Sequence, residues 1–188
     1  MKSHILSLRG MIYASIFGAV TAAGAYIIIP LPPVPITLQT LFLYLAAALL
    51  GGRLGALSQV IYLLVGIIGL PVFAGGKAGL GVLIGPTGGY LIGFVAGAYV
   101  IGKILETVKA PGSAWHVLAM VAGTGVIYLF GACQLMAVAK LSVEKALAVG
   151  VLPFLLGDAL KIAVAVPLTL KVRGRVGLAT GTNGDRQR

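Results

Sequence analysis

The chain has 188 residues, of which 59% are hydrophobic and only 10% are charged. A water-soluble domain of this length could not bury so much apolar surface, so the composition excludes one and indicates a polytopic membrane protein. The net charge of +10 does not indicate a nucleic-acid-binding protein, because the basic residues lie at the ends of apolar segments and in the tail. The single cysteine and the two histidines have no spacing that suits a metal site.

Six apolar segments follow one another, with short polar breaks between them. They predict an all-α integral membrane protein in which six transmembrane helices form one compact bundle, a single domain over residues 1–188. The predicted spans are about 11–29, 38–50, 54–70, 87–103, 115–139 and 147–170. The basic tail, residues 171–188, is rich in Gly and Thr and is predicted to be disordered.

The first span contains a row of small residues, Ala14, Gly18 and Ala22, at four-residue spacing. Such a row lets a second helix approach closely, because contact packing has to supply the attraction that lipid does not. The second helix could belong to the same chain or to another subunit. Small residues are common in membrane helices, so the row alone leaves both interpretations open.

Four prolines in residues 30–35 predict a stiff, extended loop after the first span. The second span is short, and the rigid loop beside it could cover an opening between helices. In the third span, Gln59 and Tyr62 lie three residues apart and share one helical face. This pair suits either a hydrogen bond between helices or a contact with a ligand, and the sequence favours neither.

Residues 71–86, PVFAGGKAGLGVLIGP, contain five glycines and two prolines, with Lys77 as their one charged residue. This composition precludes a regular helix through the whole segment. Irregular backbone that is also apolar is tolerated at membrane depth only where protein buries it or where it lines a cavity. We therefore expect this segment to line a cavity.

The last span carries an acid and a base, Asp158 and Lys161, close to its middle. Each costs roughly 2.5–3.5 kcal/mol to insert at the centre of a membrane helix, so ionisable residues at that depth usually have a function. At a spacing of three residues they lie on one helical face and can partly neutralise each other. They could form the polar floor of a ligand site, or they could be an ion pair that only joins two helices.

Lysine and arginine residues are distributed unevenly between the two sides of the predicted bundle. With the amino terminus inside, the outer side holds three of the 14, namely Lys77, Lys140 and Lys145, and all others except the intramembrane Lys161 lie inside. This bias predicts that both termini are cytoplasmic. The proline loop and residues 71–86 are then outside, so we expect an outward-open cavity with Lys77 near its mouth and Asp158 at its floor.

The motifs GLPVF and GPTGGY within residues 51–94, together with the Asp-x-x-Lys pattern in residues 157–161, resemble the BioY family. The resemblance covers essentially the whole chain. BioY proteins are biotin-specific substrate-binding subunits, called S components, of energy-coupling factor (ECF) transporters. The resemblance implies a plasma-membrane protein that captures biotin outside the cell and delivers it by docking to a transmembrane coupling subunit and two cytoplasmic ATPases. The sequence has no G-x-x-x-x-G-K-[ST] phosphate loop, so ATP hydrolysis is assigned to those partners.

The functional groups of biotin suggest how the polar residues would be used. Asp158 could accept hydrogen bonds from the ureido N–H groups, and Lys161 could donate to the ureido carbonyl. Lys77 could hold the carboxylate, near the positive end of the fourth span. The backbone N–H groups assigned to the same role are those near Gly79, Gly81 and Thr87.

Apolar residues would contact the thioether ring and the chain of biotin. The residues proposed for this contact are Val72, Phe73, Leu83 and Tyr90. Two further candidate biotin contacts are Gln59 and Tyr62.

The row Ala14, Gly18 and Ala22 resembles the face with which S components dock to the coupling subunit. No metal and no cofactor are expected, and biotin is the one ligand.

Two functions of other classes fit the residues alone. A stand-alone secondary transporter would use Asp158 and Lys161 as a proton relay and would need no partner. A non-transporting scaffold protein would use the pair only to hold helices together, and no ligand would raise its melting temperature. An enzyme is not expected, because the sequence contains no evident nucleophile–base pair or metal constellation.

Overall fold

The computed structural model of the chain describes residues 7–176. This part of the chain forms eight helices and one antiparallel pair of two-residue strands, in which Ile28 pairs with Thr37 and Ile29 with Ile36. The elements are α1 (Leu8–Gly24), β1 (Ile28–Ile29), β2 (Ile36–Thr37), α2 (Gln39–Leu50), α3 (Gly52–Ile67), α4 (Leu80–Ile84), α5 (Gly88–Glu106), α6 (Ser113–Ala139), α7 (Val143–Gly150) and α8 (Leu152–Val176).

The length and composition of the helices are those of a membrane protein. Helices α5, α6 and α8 are long and apolar enough to cross a bilayer, and α1, α2 and α3 are apolar but shorter. With 27 residues, α6 is about 40 Å long. The prediction of an all-α membrane protein is therefore confirmed.

The largest departures from the predicted spans occur in two of them. The first helix ends at Gly24, well before residue 29, because the chain turns there into the strand pair that carries the proline loop. The predicted span 147–170 is divided at Val151 into α7 and α8. Pro153 explains this division. A proline fits the first turn of a helix, but it has no N–H to donate to a carbonyl of a preceding helical turn, so it interrupts a helix that reaches it from α7.

The first residues of the predicted disordered tail, 171–188, are helical. Helix α8 continues beyond residue 170 to Val176, and residues 177–188 lie outside the described part of the chain. Residues 71–86 are irregular as predicted, except for the single short helix α4.

Helices α5 and α6 approach each other across a row of glycines on α5. A Cβ atom added at Gly93 would lie 2.9 Å from the Cα atom of Ile127, and one added at Gly97 would lie 2.9 Å from the carbonyl oxygen of Gly123. Small residues at four-residue spacing give this close contact between membrane helices. The row fixes α6 against α5, and both helices contribute side chains to the cavity described below.

The small residues of α1 face the interior of the protein. Ala14 and Gly18 are buried, and a Cβ atom added at Gly18 would lie 2.9 Å from the carbonyl oxygen of Ser58 in α3. Ala22 is partly buried and packs against the core. This row is therefore used for internal packing, and Ala14 and Gly18 do not form the accessible docking face that was predicted. The helical register instead places Ser15, Ala19 and Ala23 on the exposed side of α1.

Two glycines of α6 provide a test of this packing. A Cβ atom at Gly131 would overlap the ring of Tyr90, whereas one at Gly125 would meet no atom within 4 Å. We expect Gly131→Ala to lower the free energy of unfolding by about 1–3 kcal/mol through overpacking. Gly125→Ala should leave it unchanged or raise it by up to about 1 kcal/mol through helix propensity. Thermal unfolding in detergent measures both, and equal melting temperatures for the two variants would contradict the α5–α6 packing.

Candidate binding site

A cavity lies between the ends of the helices on the side of the proline loop. The empty space within it is about 700 Å³, a figure that includes solvent at its open mouth. Seven parts of the chain contribute to its wall: the β1–β2 segment, the start of α2, the turn before α4, α4 itself, the start of α5, and the facing sides of α6 and α8. The lining residues are Val34, Pro35, Thr37, Gln39, Thr40, Phe73, Ala74, Lys77, Val82, Thr87, Tyr90, Leu91, Phe94, Ile127, Tyr128, Phe154, Asp158 and Lys161.

The two charged residues of α8 lie in this wall and pair with each other. The Nζ atom of Lys161 is 2.9 Å from Oδ1 of Asp158, and the two residues are only 8% and 5% exposed. Asp158 lies six residues after the start of α8, about 9 Å along its axis, so the pair is nearer to one end than expected. The pair faces a cavity, and this position supports the ligand-site interpretation over a purely structural ion pair.

Residues from two other helices complete the polar cluster. The hydroxyl of Thr40 donates to Oδ1 of Asp158 at 2.9 Å and accepts from Nζ of Lys161 at 2.9 Å. The hydroxyl of Tyr128 donates to Oδ2 of Asp158 at 2.6 Å. α2 and α6 thus hold the carboxylate through both of its oxygens, and they fix the orientation of the pair.

The cluster still has hydrogen-bonding capacity for a ligand. An ammonium group has three N–H donors, and Lys161 uses two of them on Asp158 and Thr40. Each carboxylate oxygen can accept about two hydrogen bonds, and Oδ2 of Asp158 accepts one within the described part of the chain. One donor and one acceptor therefore remain side by side, which suits a ligand that carries an N–H group next to a carbonyl.

A tight turn before α4 places one apolar and one basic residue at the cavity. The N–H of Phe73 donates to the carbonyl of Lys77 at 3.0 Å, and the N–H of Gly76 donates to the carbonyl of Phe73 at 3.0 Å. Gly75 and Gly76 have φ values of +73° and +72°, a conformation that favours glycine. As a result Phe73 is buried in the wall and Lys77 is exposed at the mouth.

Tyr62 supports the cavity wall from behind. Its ring meets the ring of Phe73 edge-on, with centroids 5.6 Å apart. Its hydroxyl accepts a hydrogen bond from Nε2 of Gln39 and donates to the carbonyl of Val72 at 3.2 Å. Gln39, which lines the cavity, accepts in turn from the hydroxyl of Thr37 at 2.7 Å. Tyr62 therefore positions residues that line the cavity and does not line it itself.

The structure brings together six of the ten predicted ligand-binding residues. Asp158, Lys161, Lys77, Tyr90, Phe73 and Thr87 all line the cavity. The other four predicted residues, Gln59, Tyr62, Gly79 and Gly81, are not part of its lining. The apolar residues Val72 and Leu83 lie outside the lining as well.

Each of the excluded residues has another place in the fold. Gln59 donates to the hydroxyl of Thr21 at 3.4 Å, so it joins α3 to α1, which is the interhelical alternative considered for it. The N–H of Gly79 donates to the carbonyl of Gly66 at 2.8 Å, and it is therefore not free for a carboxylate. Gly81 faces open space beside the mouth of the cavity.

Several residues of the site were missed by sequence reasoning. Thr40 and Tyr128 come from helices that are far from Asp158 in the chain, and only the folded bundle brings them to it, whereas Phe154 precedes Asp158 by four residues on α8. A polar residue in the middle of an apolar span was a usable signal for Tyr128. In the described part of the chain, the His, Cys, Asp and Glu side chains form no group of three that could hold a metal ion.

These features are those of a helical membrane protein with one end open to a cavity, whose wall contains a buried ion pair. Comparison with known proteins gives its family. The model of the BioY family matches residues 1–177, and the chain belongs to this family.

Two relatives match this chain over nearly the whole of their own length. The biotin transporter BioY of Thermotoga maritima is 45% identical over 166 residues, which are 88% of this chain and 96% of that protein. The probable biotin transporter BioY of Pyrococcus horikoshii is 39% identical over 174 residues, 93% of this chain and 99% of that protein. A crystal structure described as the S-component for biotin from an ECF-type ABC transporter superimposes with a TM-score of 0.86 at 26% identity, covering 95% of this chain and 97% of the other.

Proposed function

We propose that this protein is the biotin-binding S component of an ECF-type transporter. It captures biotin outside the cell and delivers it by docking to a coupling subunit that ATPases drive. The observation that carries this proposal is the pairing of one free donor and one free acceptor at Lys161 and Asp158, on the wall of an otherwise mainly apolar cavity. Membership of the BioY family and the likeness to a biotin S component support it.

The ureido ring of biotin lies at the buried ion pair in this proposal. One of its N–H groups donates to Oδ2 of Asp158, and its carbonyl accepts from Lys161. A buried site of this kind rejects ligands that lack the matching atoms, because each missing atom leaves a polar group unpaired. The bicyclic ring and the chain pack between Phe73, Tyr90 and Phe154, whose side chains line the same cavity.

The carboxylate of biotin lies at the mouth. Lys77 and Thr87 line both the cavity and a second space that adjoins it, so they are placed where an extended chain would leave the site. Lys77 supplies the positive charge and Thr87 a hydroxyl donor. The hydrogen-bonded N–H of Gly79 has no part in this arrangement.

The membrane topology proposed here has six spans, α1, α2, α3, α5, α6 and α8, with both termini in the cytoplasm. The distribution of lysine and arginine residues supports this orientation in the plasma membrane. The cavity mouth, with Val34 and Lys77, then opens outward, as capture from outside the cell requires. Helix α7 lies along the outer end of the bundle.

The coupling subunit docks on the exposed side of α1. Ser15, Ala19 and Ala23 recur there at four-residue spacing, and all three are exposed. Small residues permit close helix approach in a membrane, and this row replaces the buried Ala14 and Gly18 in the docking role. Two ATPases complete the transporter on the cytoplasmic side.

A thermal-shift titration of the purified protein tests the ligand. Biotin should raise the melting temperature, because a ligand at 100 times its Kd stabilises the folded state by about 2.7 kcal/mol. Dethiobiotin, which keeps the ureido ring, should give a smaller shift. Lipoic acid is the matched control, since it has the same five-carbon acid chain and a sulfur-containing ring but no ureido group. No shift with biotin, or an equal shift with lipoic acid, would contradict the proposed function.

A further inference from the structure

A second space adjoins the mouth of the cavity. The empty space there is about 720 Å³, which again includes open solvent, and this second space is more open than the cavity. Its lining residues are Lys77, Ala78, Gly81, Val82, Gly85, Pro86 and Thr87. Three of these, Lys77, Val82 and Thr87, also line the cavity, so the two spaces meet at these side chains. We call this second space the vestibule.

Hydrogen bonds hold the walls of the vestibule in place. The Nε2 atom of Gln134 in α6 donates to the carbonyl of Leu83 at 2.6 Å and to the carbonyl of Gly85 at 2.8 Å. On the other side, the N–H of Gly79 donates to the carbonyl of Gly66 at 2.8 Å. The short helix α4 is thus tied to α6 and α3 at its two ends, and the vestibule beside it is a fixed feature of the fold.

The two ends of the binding site differ in how strictly they specify a ligand. At the floor, Asp158 and Lys161 are nearly fully buried and are oriented by Thr40 and Tyr128. At the mouth, Lys77 is exposed, and an exposed charge pair contributes only a factor of about five or less to affinity. Removing the charge of the ligand carboxylate therefore costs little, whereas blocking a ureido N–H leaves a buried acceptor unpaired.

We propose that the vestibule accommodates the extension of biotin derivatives conjugated through the carboxyl group, so that the protein binds biotinyl amides as well as free biotin. This inference rests on the proposed function, since it places the ureido ring at Asp158 and the acid chain toward Lys77. The chemical class is an amide of the biotin carboxyl group with a primary amine, such as the side-chain amine of lysine. An amide keeps the carbonyl acceptor for Thr87 and directs the added chain into the vestibule.

Calorimetry with the purified full-length protein tests this proposal with three ligands. The ligands are biotin, the amide of biotin with the side-chain amine of lysine, and biotin methylated on a ureido nitrogen. We expect the lysine amide to bind within about tenfold of biotin, because the loss of one exposed charge contact is the main cost. The ureido-methylated analogue should bind more than about a hundredfold more weakly, because it removes a donor and inserts a methyl group at the buried pair.

A substitution in the vestibule tests whether the chain added to the biotin carboxyl group lies there. A Cβ atom added at Gly81 meets no atom within 4 Å, so a side chain can begin there without a clash at its first carbon. Gly81→Leu should reduce the affinity for the lysine amide at least about tenfold by filling the vestibule, and should change the affinity for biotin less than about threefold. The control is Gly112→Leu at the start of α6, where an added Cβ atom also meets open space and both affinities should be unchanged.

The possible results distinguish a failure of this inference from a failure of the proposed function. If biotin itself does not bind, the proposed function fails. If biotin binds and the lysine amide binds more than a hundredfold more weakly, the function stands and the vestibule proposal is overturned. The proposal is also overturned if the amide binds well but Gly81→Leu lowers the affinity for both ligands equally, or for neither. The expected pattern, loss of the amide alone, supports it.

Discussion

Replacing Asp158 with asparagine should weaken biotin binding at least about tenfold while leaving the protein folded. The asparagine has nearly the same volume but removes the negative charge, so Lys161 remains buried without its charged partner and the ureido N–H group at Asp158 loses a charged acceptor. Hydrogen bonds to charged groups contribute about 1.5–3 kcal/mol each, which corresponds to a factor of ten or more in affinity. Lys161→Ala should have a comparable effect. Calorimetry measures the affinities, and the elution profile in detergent reports folding.

A second ion pair in the same protein provides the control. Lys103 and Glu106 on α5 have the same spacing of three residues and an N–O distance of 2.8 Å, but their side chains are 39% and 37% exposed. Exposed pairs contribute about 0–1 kcal/mol, so Lys103→Ala should leave biotin binding unchanged. Tyr128→Phe should give an intermediate loss, because it removes one of the hydrogen bonds that orient Asp158. Unchanged affinity in both Asp158→Asn and Lys161→Ala would place the biotin site elsewhere.

Replacing Ala19 with leucine should separate transport from binding. Ala19 is exposed on α1, so the larger side chain disturbs nothing inside the protein but keeps a second helix at a distance. We expect biotin binding to the purified subunit to stay at the wild-type level. Assembly with the coupling subunit should fall about fivefold or more, as expected for overpacking of 1–3 kcal/mol. Co-purification measures assembly, and uptake of labelled biotin by cells that contain the whole transporter measures transport.

The neighbouring residue on the same helix is the matched comparison. Gly18→Leu places its Cβ atom 2.9 Å from the carbonyl oxygen of Ser58, so it should lower stability and protein yield and reduce binding and uptake together. If Ala19→Leu still assembles at the wild-type level, the coupling subunit docks on another surface. If Gly18→Leu is as stable as the wild type, α1 and α3 do not pack as described.

The buried ion pair was predictable from the sequence because the free-energy cost of placing a charge in a membrane helix follows from the residue and its position in the span. The penalty for placing Asp158 and Lys161 in a helix that crosses a bilayer can be read from the sequence alone, so their position marked them as candidates for a functional site. Thr40 and Tyr128 carry no such penalty. Their role depends on which helices become neighbours, and Thr40 is 118 residues away from Asp158 in the chain. Only the arrangement of the bundle reveals that contact.

The face of α1 shows a different limit of sequence reasoning. Ala14 and Gly18 form one row of small residues, and Ser15, Ala19 and Ala23 form a second row displaced by about 100° around the helix. Both rows permit close packing, and nothing local distinguishes the inner from the outer one. The approach of Ser58 on α3 decides between them. Likewise, the division of the last span at Val151 follows from Pro153. The apolar pattern runs through this proline without a break, so the pattern alone did not predict the division.

The location of both Asp158 and Lys161 on α8 has an electrical consequence. Moving one elementary charge across a membrane potential of 100 mV involves about 2.3 kcal/mol. Because the carboxylate and the ammonium group lie on the same helix, 2.9 Å apart, any displacement of α8 carries them together as a neutral unit. The ion pair can therefore change its depth in the bilayer without the membrane voltage either driving or opposing it.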